Sequence, residues 1–300
     1  MSVDAGLSAW RSSKNHNRMI TRQHETLETS GNVEIAYFGG SAFRITTPAG
    51  LSVMVDPWRN LPTGQSDWFF HDFPHADVDI GLSTHAHFDH DALHCLDANT
   101  LIDRPIGNYE FCDLKIRGIA DKHATDTSCA LYDMHRVNSY FRGRKILPPE
   151  NARSWDNCLI VIETGGLKIL HWGDNRHNPP EEVWQLLEGV DILIVPVDDS
   201  EHVLGFGMVQ EIVERLVPRV VIPNHYLIWN IIRSQSTLLT ADRWLRKQKR
   251  VENLSSALKT YNPSSLPAKT SIHSFGEHVA FDVDAWHERN GLAVDPEGGC

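Results

Sequence analysis

Six consecutive residues, His85-Ala86-His87-Phe88-Asp89-His90, constrain this chain more than any other feature. With 17 histidines in 300 residues, chance supplies roughly 0.004 strings of the form His-x-His-x-Asp-His. Chemistry explains the spacing. His85 and His87, two apart in an extended turn, can grip one metal ion, and the same turn can aim Asp89 and His90 at a second ion close by. The string follows residues 78–84 (VDIGLST), which read as an apolar strand. The end of a strand is where α/β proteins commonly build their sites.

A first-row metal takes three or more nitrogen or oxygen ligands, so the string requires partners elsewhere in the chain. Alternation in 114–120 (LKIRGIA) predicts a strand that delivers His123. Residues 158–163 and 167–171 predict a hairpin over Thr164-Gly165-Gly166 that ends in Trp172-Gly173-Asp174. A strand over 219–222 leads to Pro223-Asn224-His225. Each of His123, Asp174 and His225 is a weak signal alone. Together, each behind an apolar strand, they suit a common rim with the histidine-rich string.

Around these segments, residues 33–38 (VEIAYF), 43–45 and 51–55 predict short antiparallel strands with glycine turns, followed by a loop over 56–76. Apolar spacing predicts helices over 181–188, through Val183, Leu186 and Leu187, and over 208–216, through Met208, Ile212, Val213 and Leu216. Pro218 stops the second helix. Residues 190–197 read as a strand, 236–261 as helix-rich and 272–282 as a closing strand around Gly276. The expected fold class is α/β, a single domain with a two-sheet core and helices outside. That domain spans 31–283, with 126–153 as an insertion, 1–30 as an N-terminal arm or tail and 284–300 as a C-terminal tail.

With its His-x-His-x-Asp-His string followed by His123, Asp174 and His225 in that order, the chain resembles the metallo-β-lactamase superfamily. Within it, 33–58 (VEIAYFGGSAFRITTPAGLSVMVDPW), 170–174 (LHWGD), 190–198 (VDILIVPVD) and 220–226 (VVIPNHY) resemble the branch of ascorbate-phosphate lactonase-like metal-dependent hydrolases. The resemblance covers residues 33–282 and implies a four-layer αββα sandwich. It implies a first metal on His85, His87 and His123 and a second on Asp89, His90 and His225, with Asp174 bridging. The implied metal is Zn2+, one ion or two, with Mn2+ or Fe2+ as alternatives. Two departures matter. Gly39-Gly40-Ser41 stands where many members of the branch have Gly-His-Ser, and the short stretch between His90 and His123 leaves His171 and His177 as competitors for the third histidine. The implied chemistry is hydrolysis by a metal-bound hydroxide, with no Ser or Cys nucleophile. Asp89 would orient that hydroxide or take its proton, and Tyr226 would either stabilise a developing oxyanion or simply pack.

Composition narrows the partners. Counts of 39 acidic and 28 basic residues give a net charge of -11, which opposes binding to nucleic acid in the absence of a basic stripe. No apolar run approaches the ~18–20 residues of a membrane span. Five cysteines, an odd number without a CxxC pair, indicate neither a disulfide framework nor a thiolate zinc site, so the chain reads as reduced and cytoplasmic. Residues 1–30 lack the apolar segment of a secretory signal and carry acidic residues that transit peptides avoid. Such an arm suits packing on a partner subunit, as in a homodimer.

Trp58, Trp68, Phe69, Phe70 and Phe73 fall in the loop after Asp56-Pro57, which in the resembling family lies beside the metal mouth. They point to a small apolar or aromatic substrate, namely a lactone, an amide, an ester or a haloaromatic dehalogenated by hydrolysis; the alternative is burial in the core or a dimer interface. Arg142, Arg144 and Lys145 in the insertion offer a phosphate or carboxylate contact or a solvated face. Competing functions are a phosphodiesterase resembling the family's nucleases and phospholipase D relatives, an iron-dependent oxidoreductase, or a non-catalytic metal-binding module. The acidic balance disfavours the nuclease. The oxygen-reducing relatives typically carry Glu for the second histidine of the string and an appended flavin domain, and this chain has neither.

Overall fold

The structure is a computed structural model and describes residues 31–61, 67–124 and 156–291. β-Branched and aromatic residues alternate through β1 (Val33–Tyr37) and β2 (Phe43–Thr46), which turns Val33, Ile35, Tyr37, Phe43 and Ile45 into the core. β3 (Ser52–Val55) and β4 (Ala76–Ser83) are buried almost throughout, as strands inside a sheet covered on both faces must be. With β5 (Leu96–Asp103) at one edge and β13 (Leu258–Tyr261) at the other, they form a six-stranded sheet in the order β13-β1-β2-β3-β4-β5.

The second sheet has eight strands in the order β12-β14-β11-β10-β9-β8-β7-β6. These are β6 (Gly107–Phe111), β7 (Leu114–Asp121), β8 (Asn157–Thr164), β9 (Leu167–His171), β10 (Ile192–Pro196), β11 (Val220–Asn224), β12 (Val251–Asn253) and β14 (Ser271–Ser274). β7 and β9 both run antiparallel to β8, and β10 is parallel to β9 and to β11. The carboxyl ends of β7, β9, β10 and β11 therefore lie along one rim, the edge at which open α/β sheets place ligands. One continuous apolar cluster takes in residues from both sheets.

Among the described residues helices are few: α1 (Glu181–Leu186), α2 (Phe206–Leu216), α3 (Asp242–Leu245) and α4 (Val283–Arg289), besides two short 3-10 turns. α2 buries Val209 and Ile212 and ends at Val217, which takes a left-handed conformation one residue before Pro218. Among the described residues no helix is long and apolar enough to cross a membrane.

Three expectations need correction. Residues 236–261 are not helix-rich: only α3 is helical there, while β12 and β13 join the edges of the two sheets. Pairing with β14 and β1 overrides the helical preference of this charged stretch. The closing strand is short, because β14 ends at Ser274 and Gly276 turns the chain with φ 57°. The expected tail from 284 begins as α4, capped by the Asp282 carboxylate, which accepts from Ala285 N–H at 3.0 Å. Trp286 on α4 is buried edge-on to Trp58, and its indole N–H donates to the Asp72 carbonyl. The arm 1–30, the insertion 126–153 with Arg142, Arg144 and Lys145, and residues 292–300 lie outside the described residues.

Candidate metal centre

β4 runs directly into the histidine-rich turn, and one carboxylate fixes that turn. Asp56, just past β3 in a left-handed conformation (φ 53°), is fully buried. It accepts from Thr84 N–H and Thr84 Oγ1, each at 2.7 Å, and from His90 Nδ1 at 2.8 Å. Thr84 Oγ1 also stands 3.0 Å from His85 Nδ1. With both Nδ1 atoms engaged in this way, the Nε2 atoms of His85 and His90 are turned toward Asp174, at 3.9 and 3.4 Å. An outer carboxylate that orients ligating imidazoles is a usual feature of metal sites.

The second sheet brings the remaining groups. His123 and Asp174 leave β7 and β9, and an isolated bridge between His123 and Asn175 ties the two strand ends together. Beneath them buried Asp121 receives Arg176 and Asn175, and Asn157 donates to Asn175. His225 follows β11 with φ 60°, its N–H donating to the Gly40 carbonyl at 2.8 Å. Asp174 Oδ2 thus lies 3.4 Å from His123 Nε2 and 3.8 Å from His225 Nε2. Asp89 Oδ2 lies 3.1 Å from His225 Nε2 and 3.5 Å from His90 Nε2.

Two groups result, His85 with His87 and His123, and Asp89 with His90, Asp174 and His225, each with its ligand atoms within 4.8 Å of one another. All seven expected ligand residues are brought together. His171 is engaged elsewhere, donating from Nε2 to the Ser41 carbonyl and accepting Gly173 N–H at Nδ1. His177 pairs with Glu211 at 3.9 Å instead. The donor set fits a metal: His85 Nε2, His90 Nε2, His123 Nε2 and Asp174 Oδ1 are buried without a hydrogen-bond partner. Buried polar atoms are nearly always paired, and four unpaired ones converging on one spot are what a cation satisfies.

Electrostatics follows from this crowding. Burial opposes ionisation of Asp89 and Asp174, yet His90 and His225 outweigh it and hold both carboxyls well below their ordinary range. His90 is pushed well above the ordinary histidine value, against its burial, by Asp174, Asp89 and Asp56. His225 is raised in the same way by Asp174 and Asp89. Burial lowers His85 and His87, with His90 and His123 respectively adding to the effect.

A cavity of about 260 Å³ opens over these groups, with His87, Asp89, His123 and Asp174 in its floor and Arg59, Trp68, Phe88 and His202 in its walls. Arg59 is held in a bidentate pair with Asp91, at 2.7 and 3.0 Å. Only Trp68 of the five expected pocket aromatics reaches this cavity. Trp58 stacks on Phe69 at 4.2 Å and meets Phe73 edge-on at 5.1 Å, and all three are buried in the core. Phe70 packs against Arg233 and His287. Of the two roles open to Tyr226, packing is the one seen: it is buried beside Tyr37, and its hydroxyl donates to the Gly276 carbonyl at 2.7 Å. That bond consumes the proton an oxyanion would need.

Sequence reasoning missed Asp56 and His202. Asp56 was legible only as an acidic residue at a strand's end before Pro57. His202, in the loop after β10, carried no local signal.

Residues 34–225 match the model of the Beta-lactamase superfamily domain. A metal-dependent hydrolase (UPF0173) from Rubrobacter xylanophilus is 26% identical over 219 residues, 66% of this chain and 84% of the relative. A second such hydrolase, from Anaeromyxobacter sp. strain K, is 37% identical over 60 residues, 20% of this chain and 21% of that protein's length. In three dimensions, a metallo-β-lactamase superfamily protein from Thermotoga maritima superposes with a TM-score of 0.56 at 21% identity, covering 81% of this chain and 97% of its own. The chain belongs to the metallo-β-lactamase superfamily.

Proposed function

We propose that this chain is a metal-dependent hydrolase acting on a small molecule with an apolar or aromatic part, with Zn2+, one ion or two, as its metal. The observation that carries the reading is the convergence of seven ligand-type side chains beneath a cavity walled by Trp68 and Phe88. The hydrolases named above support the activity. A bound metal would supply a Lewis acid and bring the pKa of water down from ~15.7 to about 7. His85, His87 and His123 would hold one ion, Asp89, His90 and His225 another, and Asp174 would face both. Asp89, already ionised, would orient the attacking water by accepting its hydrogen. A cavity of about 260 Å³ lies just below the ~300–1,000 Å³ of drug-sized ligand sites, which favours a small substrate. Trp68 and Phe88 meet edge-on at 5.2 Å and supply the apolar wall. Arg59, in the cavity wall, is already paired with Asp91.

The test begins with metal analysis of protein purified without chelator, followed by hydrolysis panels of aromatic esters, lactones, haloaromatics and phosphodiesters. Bound metal and chelator-sensitive turnover in one of the first three panels is the expected result. Turnover of phosphodiesters alone, or protein that takes up no metal, contradicts the reading.

A further inference from the structure

We infer that His202 is a substrate-contacting residue, the hydrogen-bonding partner for a polar atom of the molecule bound in the cavity; the inference rests on the hydrolase reading above. His202 shares that cavity with Asp89, His123 and Asp174, yet belongs to neither ligand group. Its ring lies parallel to His225 at 5.7 Å and edge-on to Trp68 at 5.4 Å. Packing therefore fixes the plane of the imidazole. Its Nδ1 is buried without a hydrogen-bond partner. Outside the ligand groups, the buried histidines His171 and His273 are served, His171 by Ser41 and Gly173, His273 by Tyr261 and Glu252. Nothing in the described structure fixes the tautomer of His202, so the ring can offer either an N–H or a lone pair to a bound molecule.

The backbone beneath the ring is held rigidly. The Asp198 carboxylate accepts from Ser200 N–H at 2.7 Å, from the Ser200 hydroxyl, from His202 N–H at 3.1 Å and from Leu239 N–H at 3.4 Å. The Glu201 carboxylate accepts from Phe206 N–H at the start of α2. A loop fixed by its own carboxylates while Nδ1 of its histidine goes unpaired is organised for a contact from outside the chain. Trp68, edge-on to His202, sets the apolar face beside that contact. The arrangement suits a planar, aromatic molecule carrying one oxygen or nitrogen that hydrogen-bonds.

The probe is 1-naphthol, one aromatic system and one hydroxyl, titrated calorimetrically into the metal-loaded wild type and into His202→Phe, which keeps a ring and removes both nitrogens. His202→Leu serves as a second variant if the larger ring disturbs packing, and melting curves report folding. Loss of one hydrogen bond should weaken 1-naphthol binding by about 5-fold or more, while metal content stays at the wild-type level and His202→Gln recovers part of the affinity. Equal affinity in wild type and variants, including no binding by either, overturns the inference, as does loss of metal from folded His202→Phe. Hydrolysis of 1-naphthyl acetate is measured alongside. If binding depends on His202 but the panels of the preceding section show no turnover, the hydrolase reading fails and the His202 contact stands. If turnover occurs, KM should rise in His202→Phe with kcat little changed.

Discussion

At the scale of single residues, Asp56 organises the centre without being one of its ligands. It receives three buried donors, from Thr84 twice and from His90. Asp56→Ala should cost roughly 3 kcal/mol, since each orphaned buried donor is expensive, and should weaken metal binding about 10–100-fold. Urea unfolding of the metal-free protein and a metal titration read the two effects separately. Unchanged affinity with normal stability would remove Asp56 from this role. A second contrast separates the aromatics. Trp58 is fully buried, so Trp58→Ala should cost about 3–5 kcal/mol, whereas Trp68→Ala should leave the melting temperature within a few degrees and weaken 1-naphthol. A sharp stability loss in Trp68→Ala with unchanged binding would put Trp68 back among the core residues. The ligand candidates were legible because four sit in one six-residue string whose spacing is itself chemical. Asp56 was not, because its partners Thr84 and His90 lie 28 and 34 residues away and only the folded sheet shows them.

Among the elements, the loop after β9 shows how little room the site leaves. Gly173 has φ 55°, and a Cβ there would lie 2.8 Å from Thr84 Cβ and Oγ1. Gly173→Ala should therefore cost roughly 1–3 kcal/mol from the left-handed backbone. It should also loosen metal binding, because Thr84 is the link between Asp56 and His85. Wild-type melting behaviour and metal affinity in this variant would show that the turn can relax. The strands that carry the site, β4, β7, β9 and β11, were readable from apolar runs ending in His or Asp. β5 and β6 were not: both are edge strands half-open to solvent, β5 carries mixed residues (LDANTLID) with no clear period, and β6 alternates over only five residues (GNYEF). The stretch 236–261 misled for a related reason, since its charged residues suit a surface helix while its short apolar positions pair at sheet edges.

For the whole molecule, the metal groups form only when both sheets are assembled, because the histidine-rich turn comes from the first and His123, Asp174 and His225 come from the second. Ligand binding to the folded state alone stabilises it, by about 2.7 kcal/mol at one hundred times Kd. Metal at that excess should accordingly raise the melting temperature of stripped protein, and a chelator should reverse the rise; a melting temperature indifferent to both would separate metal binding from folding. The order His-x-His-x-Asp-His, His, Asp, His made the sandwich readable in outline, while the depth of the aromatic loop depended on packing that no local pattern encodes. The most direct measurement is the metal content, by mass spectrometry of the purified protein, of folded wild type and folded Asp174→Ala. Asp174 faces both groups, with carboxylate oxygens 3.4 Å from His90 Nε2 and 3.4 Å from His123 Nε2. The expected result is metal in the wild type and loss of at least half of it in Asp174→Ala, whereas Asp174→Ala holding the wild-type complement of metal would contradict a centre built around this residue.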